Sequence, residues 1–213
     1  MIMFNTDSWL WRALSTIADI AIMSILFVIC SIPVFTIGAS FTALYTVSLK
    51  LSEHEEGYIT HDFFKAFKEN FRQATVIWMI MLVVGAVLGI DLYLVRGNRT
   101  PIAMAMNIIF YIIAFVYLMI FSYVFPLQCK FINKVKDTFK NAVTVGIANL
   151  LPWTILLMGT NLIPFTLLLL PMKLILYMLP VIVGFMFGVI AYINSKMLNH
   201  VFKKYISKIE NES

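Results

Sequence analysis

Three histidines and two cysteines are the side chains here best suited to hold a metal or carry a nucleophile, and their placement argues against both. His54, His61 and His200 fall outside the long apolar runs, and none has a carboxylate or cysteine partner at metal-ligand spacing. His54 lies within Glu53-His54-Glu55-Glu56, the composition of a solvated turn. Cys30 sits inside an apolar run and Cys129 at the inner edge of another, so both read as packing residues rather than disulfide partners. The sequence contains no serine-centred elbow, phosphate-binding glycine loop or zinc-protease helix. The expectation is a chain that is not an enzyme and takes no metal or cofactor.

Charge inside hydrocarbon is costly, so ionisable residues at membrane depth are the next candidates. Asp19 opens the first apolar run and Asp91 precedes the end of the second, which places them with Arg12 and Arg96 in an expected outer charged cluster. A structural ion-pair network is one reading of that cluster, and a shallow cation or sugar contact is the other. Asn107, Asn149 and Asn161 are further polar residues within apolar runs, where interhelical hydrogen bonding explains them as well as a substrate would.

The elements that must position these groups follow from composition. Apolar residues make up 61% of the 213 residues and charged residues 13%, far from the ~25% charged of soluble domains. The chain reads as one all-α, polytopic transmembrane helical bundle over residues 1–213, with about five spans, each needing roughly 20 residues. An outer interfacial helix is expected over 1–16, spans over 17–37, 75–95, 102–125, 143–170 and 174–193, and a basic tail over 194–213. No cleaved signal is expected, because no small-x-small site follows the first apolar run. Pro33 and Gly38 predict a helix break near the inner end of the first span, followed by a helical stretch over 41–51 that leads to the cytoplasm. Gly184, Gly188 and Ala191 suit close helix packing.

Basic residues sort by side. Twelve of the sixteen Lys and Arg fall in three segments: Lys50 to Arg72, Lys130 to Lys140, and Lys196 to Lys208. Arg12, Arg96, Arg99 and Lys173 remain for the other side. Positive residues stay cytoplasmic, so the expectation is a multi-pass protein of a bacterial cytoplasmic membrane with its amino terminus outside and its carboxyl terminus inside. The same bias accounts for the positive net charge without nucleic acid, which is not an expected partner.

The two inner loops are amphipathic on a helical wheel. Phe64, Phe67 and Phe71 oppose Lys65, Lys68 and Arg72, and Phe139 opposes Lys136 and Lys140. Each predicts an interfacial helix with aromatics toward the bilayer and bases at the headgroups, or a platform for a partner protein. Superposing Lys68 on Lys136 also aligns Phe71 with Phe139 and Arg72 with Lys140, the trace of a weak internal repeat.

The stretch Ser31-Ile32-Pro33-Val34-Phe35-Thr36-Ile37-Gly38-Ala39, then Thr42-Ala43-Leu44-Tyr45, Gly57-Tyr58, Phe63, Phe64, Phe67, Asn70, Phe71 and Ala74, resembles the signature of the YesL-like family of bacterial membrane proteins. That family has no established catalytic residues. The resemblance implies an accessory subunit packed on the permease of a carbohydrate ABC importer. No nucleotide-binding motif and no Glu-Ala-Ala loop of an ATPase-coupled permease is present. A self-contained small-solute transporter or channel, and a membrane signalling or assembly factor, are the alternative expectations.

Overall fold

The computed structural model describes residues 9–53, 55, 57–96, 100–131, 133–167 and 170–212, with the backbone alone at 9, 10, 12, 151, 165 and 205–212. All regular structure among the described residues is helical. The helices are α1 (Trp9–Cys30), α2 (Ile37–Ser52), α3 (Ile59–Val95), α4 (Pro101–Lys130), α5 (Val135–Ala148), α6 (Ile155–Thr166), α7 (Met172–Val181) and α8 (Phe187–Glu212). Five apolar stretches are long enough to cross a membrane: Ala13–Cys30, Val34–Ser52, Ile59–Val95, Pro101–Lys130 and Met172–Lys204. α5 and the segment Pro152–Pro164, bent by 115° between them, make a sixth.

Local signals account for the helix ends. Thr100 caps α4 by accepting from the Ala103 amide at 3.3 Å, with Pro101 at the first position, where its missing N–H costs nothing. Asp62 in the first turn of α3 and Lys50 in the last turn of α2 complement the two helix dipoles. Pro126, expected to stop the third span, lies buried inside α4, which runs on to Lys130. Two π-helical turns, Leu150–Thr154 and Ile182–Met186, follow or contain the disturbance from Pro152 and Pro180.

α2 is the central post. Its buried face includes Gly38, Ala39, Ala43, Leu44, Tyr45, Val47 and Ser48, and it packs most extensively on α3, then on α8 and α4. Gly38 is required by that packing: a Cβ there would overlap the Ala74 carbonyl oxygen and the Trp78 Cβ. The expected helix break at Gly38 is therefore corrected, since Gly38 is helical and serves as a contact point. Gly188 does the same for α8, where a Cβ would overlap the Ile20 carbonyl oxygen of α1; Gly184 meets no such neighbour.

The break falls at residues 31–36, around the expected Pro33 and short of Gly38, where the chain reverses. α1 and α2 are antiparallel: Phe27 meets Phe41 at 4.8 Å near the turn, and Ala13, Ser15 and Asp19 share a hollow with Lys50 and Leu51 at the other end. One span over 17–37 followed by an inward-leading stretch is thus replaced by a hairpin. Residues 9–16, expected as a separate interfacial helix, are the first turns of α1, and residues 1–8 lie outside the described residues.

The apex of this hairpin stops halfway up α3. The Trp78 indole N–H donates to the Val34 carbonyl at 2.7 Å, and α3 continues 17 residues beyond, or about 26 Å at ~1.5 Å per residue. The apex exposes Ile32, Val34 and Phe35, while several of its backbone carbonyls are hydrogen-bonded. The Thr36 hydroxyl reaches the Cys30 and Pro33 carbonyls at 2.5 and 2.6 Å, and the Thr36 amide donates to Pro33 at 2.9 Å. A turn with its carbonyls capped in this way is compatible with an apolar medium.

Candidate functional site

Four hydroxyl groups in α2 bond to its own preceding turns: Ser40 to the Thr36 carbonyl, Thr42 to Gly38, Thr46 to Thr42 and Ser52 to Leu49. On its other face Tyr45, Ser48 and Ser52 stand at three- and four-residue spacing and so form one stripe. α8 answers that stripe. Asn194 Nδ2 donates to the Tyr45 hydroxyl at 3.1 Å, Ser195 and Ser48 hydroxyls meet at 2.9 Å, and Asn199 Nδ2 donates to Ser52 at 2.7 Å.

At the upper end of the stripe, four helices converge on a buried network. Asn194 Nδ2 also donates to Asn161 Oδ1 of α6 at 3.2 Å, and Thr160 Oγ1 donates to Asn194 Oδ1 at 2.6 Å. Asn161 Nδ2 donates to the Ser122 hydroxyl of α4 at 3.1 Å, and the Tyr45 hydroxyl reaches Asn161 Oδ1 at 3.4 Å. A second buried knot lies alongside, where the Tyr123 and Thr154 hydroxyls meet at 2.9 Å and Thr154 also bonds the Gly146 carbonyl. Above the network, Phe27, Phe41, Phe121 and Phe125 interlock, with Phe41 4.8 Å from Phe27 and 5.3 Å from Phe125.

These groups are hydrogen-bonding amides and hydroxyls without a carboxylate or histidine, and they tie α2, α4, α6 and α8 together. Of the three intramembrane asparagines singled out in the sequence, Asn161 joins side chains of three other helices, Asn107 makes a long bond from α4 to the last residue of α3, and Asn149 bonds only within its own segment. Asn107 bonds Ala103 and Val95 carbonyls at the α3–α4 turn, and Asn149 bonds Val145 at the end of α5. Among the described residues no group of three or more His, Cys, Asp or Glu could hold a metal.

The outer charged cluster does not form. Asp19 lines the hollows beside Gly57, Tyr58, Lys50 and Asp62 at the opposite end of the bundle from Asp91 and Arg96. The 29 residues of α3 from Asp62 to Asp91 alone span roughly 44 Å. None of the ion pairs found among the described residues involves Asp19, Asp91 or Arg96, and the Arg12 side chain lies outside the described residues. The backbone of Arg12, in the first turns of α1, stands at the end that carries Asp62.

That end gathers the basic segments. Lys50 bonds Asp62 at 2.9 Å, Lys130 reaches Glu53 at 3.4 Å, and Lys196 and Lys203 border a hollow with Glu53 and Glu55. The Lys50 ammonium hydrogen-bonded to Asp62 holds that carboxyl below the usual carboxylate range. α1 begins here and the lower half of α8 lies here, so the two ends of the bundle chain share a side. Where opposite ends were expected, the first turns of α1 and the lower half of α8 lie at the same end of the bundle, because the chain reverses at the α1–α2 hairpin.

The aromatic–basic residues of the first inner loop lie on α3 itself, continuous through Gln73 into the span, so no separate interfacial helix exists there. Phe64, Lys65, Lys68 and Arg72 are exposed, while Phe67 and Phe71 are half-buried and 5.6 Å apart. Phe63, beside them, is fully buried. In α5, Lys136 and Lys140 are exposed and Phe139 packs against the core. The aligned repeat segments thus fold differently, one as the straight foot of a long helix and one as a short helix bent away from α6.

Ser122, Thr160 and Asn194 were not singled out in the sequence, and Tyr45 stood there only within the family signature. Their usable signal was the stripe Tyr45, Ser48, Ser52 on an otherwise apolar helix, matched by Asn194, Ser195 and Asn199 just beyond the expected end of the fifth span. No curated protein and no solved structure matches the chain. The model of a family described as a protein of unknown function, DUF624, matches residues 20–92, from the middle of α1 through the hairpin apex and α2 to the upper part of α3.

Proposed function

We propose that this multi-pass helical membrane protein is a non-catalytic accessory subunit that packs on the permease of a carbohydrate ABC import system. The observation that carries the packing role is the upper half of the α3–α4 hairpin. Beyond Trp78, α3 buries only Met81 and Leu88, and over residues 101–116 α4 buries only Ala103. Its outward residues, including Val83, Val87, Ile90, Ile108 and Ile112, are apolar on several faces, a surface suited to other transmembrane helices as well as to lipid. The carbohydrate-importer assignment rests on the family resemblance. The sealed polar network speaks against independent transport, because it ends beneath the aromatic cluster and the apolar runs Val76 to Leu88 and Ile108 to Phe121 offer no polar path.

In this reading the basic end faces the cytoplasm, since thirteen of the sixteen Lys and Arg positions fall on segments at that end once Arg12 joins the twelve. The test places a photo-crosslinking amino acid at Val87 or Ile112 in the tagged chain, expressed in its own host. Stoichiometric crosslinks to importer permease subunits, identified by mass spectrometry, are the expected result. Recovery of the chain alone, with solute flux in liposomes that contain nothing else, would replace this reading with the transporter.

A further inference from the structure

The basic end carries a broad hollow of about 810 Å³ between α1 and the foot of α3, within the size range of ligand sites. Exposed Lys65 and Lys68 stand on its α3 wall at three-residue spacing, and half-buried Asp19 stands on its α1 wall. Among the described residues no ion pair engages any of the three, and Glu69, one turn on from Lys65, forms none either. Asp62 nearby is already matched, by Lys50 at 2.9 Å and by the His61 ring at 3.3 Å. The hollow thus presents two cations on one wall and one anion on the other. We infer that it binds the headgroup of a phospholipid that carries a primary ammonium, phosphatidylethanolamine being the simplest, with the phosphate on Lys65 and Lys68 and the ammonium on Asp19.

Depth and an apolar track assign a lipid rather than a soluble zwitterion. Lys68 and Lys65 lie 28 and 31 residues from Arg96 at the other end of α3, roughly 42 to 46 Å against ~40–45 Å for a bilayer with its headgroups. With Arg96 in one headgroup layer, the two lysines lie in the other. Ile22 and Phe64, which also line the hollow, are exposed, and Ile22 opens a stripe on α1 that continues through exposed Ile25 and Ile29 toward the hairpin apex. An acyl chain laid along that stripe leads from the headgroup into hydrocarbon. Asp19 decides between headgroups. The phosphate of phosphatidylglycerol would satisfy the lysines but bring no cation to the carboxylate, and a choline headgroup brings a cation with no N–H to donate to it.

The probes are dioleoyl phosphatidylethanolamine, phosphatidylcholine and phosphatidylglycerol, each titrated into the full chain in detergent and counted by native mass spectrometry. The first phosphatidylethanolamine is expected to bind at least about threefold more tightly than either of the others, the worth of one exposed ion pair. Asp19→Asn should abolish the preference over phosphatidylcholine and strengthen phosphatidylglycerol binding. Lys65→Gln combined with Lys68→Gln should weaken phosphatidylethanolamine by roughly ten- to thirtyfold, the worth of two lysines at a membrane surface. Equal first-site affinity for phosphatidylethanolamine and phosphatidylcholine in the unaltered protein, or an unchanged ratio in Asp19→Asn, would overturn the ammonium contact. Tighter binding of phosphatidylglycerol than of phosphatidylethanolamine would overturn the headgroup assignment in favour of a general anionic-lipid surface. Displacement of the lipid by chain-free glycerophosphoethanolamine at equal concentration would overturn the lipid itself and assign a soluble ligand.

Discussion

Asn194→Leu is the sharpest probe of what holds the helices together. Leucine has the same branched four-atom side-chain skeleton and is somewhat larger, so the change removes hydrogen bonds without opening a cavity. Asn194 makes three side-chain bonds, to Tyr45, Asn161 and Thr160. Interhelical bonds in a bilayer average ~0.6 kcal/mol and reach ~1.7 kcal/mol, which puts the loss at about 2 kcal/mol, with about 5 kcal/mol as the ceiling. The partners are not left bare: Thr160 keeps the Leu157 carbonyl at 2.9 Å and Tyr45 keeps Asn161, so the value should stay near the lower figure. That is about a 30-fold shift in the unfolding equilibrium, measurable by reversible SDS titration in mixed micelles followed by tryptophan fluorescence. Ser48→Ala, which removes a single bond to Ser195, sets the scale at ~0.6 kcal/mol. Combining Tyr45→Phe with Asn194→Leu should give less than the sum of the single effects. Stability of Asn194→Leu within about 0.5 kcal/mol of the unaltered chain, well below the estimate, would refute the view that this network ties α8 to the bundle.

Gly38→Leu should push α2 away from α3 and cost about 1–3 kcal/mol as overpacking, with a red shift of Trp78 fluorescence as the indole loses Val34; an unshifted spectrum with unchanged stability would count against the close contact. Reporter tags at the two termini should respond from the same side of the membrane in accessibility assays, and opposite responses would contradict the α1–α2 hairpin. The Asp62 carboxyl is held below its ordinary value by Lys50, so its contribution is present at neutral pH and lost as pH falls through the folded-state value. With Lys50 half exposed, that contribution is under about 1 kcal/mol; stability measured from pH 7 downward should fall more steeply than in Asp62→Asn, and parallel curves would argue that the pair is idle.

Long apolar runs made the helical class, α4 and the upper half of α3 readable before any coordinates, because lipid-facing helices must be apolar nearly all round. α2 was expected only as a helical stretch over 41–51, and its place as the second arm of a hairpin escaped for the opposite reason. It is surrounded by protein, so it carries Gly38, Ser40, Thr42, Thr46 and Ser48, whose hydroxyls bond locally or to α8, and it looks too short and too polar to be a span. Missing it shifted the parity of the chain and sent Arg12 and Asp19 to the wrong end. The network was partly readable through Asn161, whereas Asn194 lay one residue past the point where apolarity suggested that the membrane ended. Side-chain partners across 149 residues of sequence, such as Tyr45 and Asn194, leave no periodic trace in either helix alone.

The half-height hairpin also gives the molecule a taper. Near the basic end the cross-section holds α1, α2, α3, α4, α8 and the α5–α6 pair; beyond the hairpin apex α3, α4 and the exposed α7 continue. A body of that shape displaces more lipid from one leaflet than from the other. Its insertion energy therefore depends on the lateral pressure and spontaneous curvature of the two monolayers, and a bilayer whose leaflets differ in packing would favour one insertion sense on shape alone, in addition to charge.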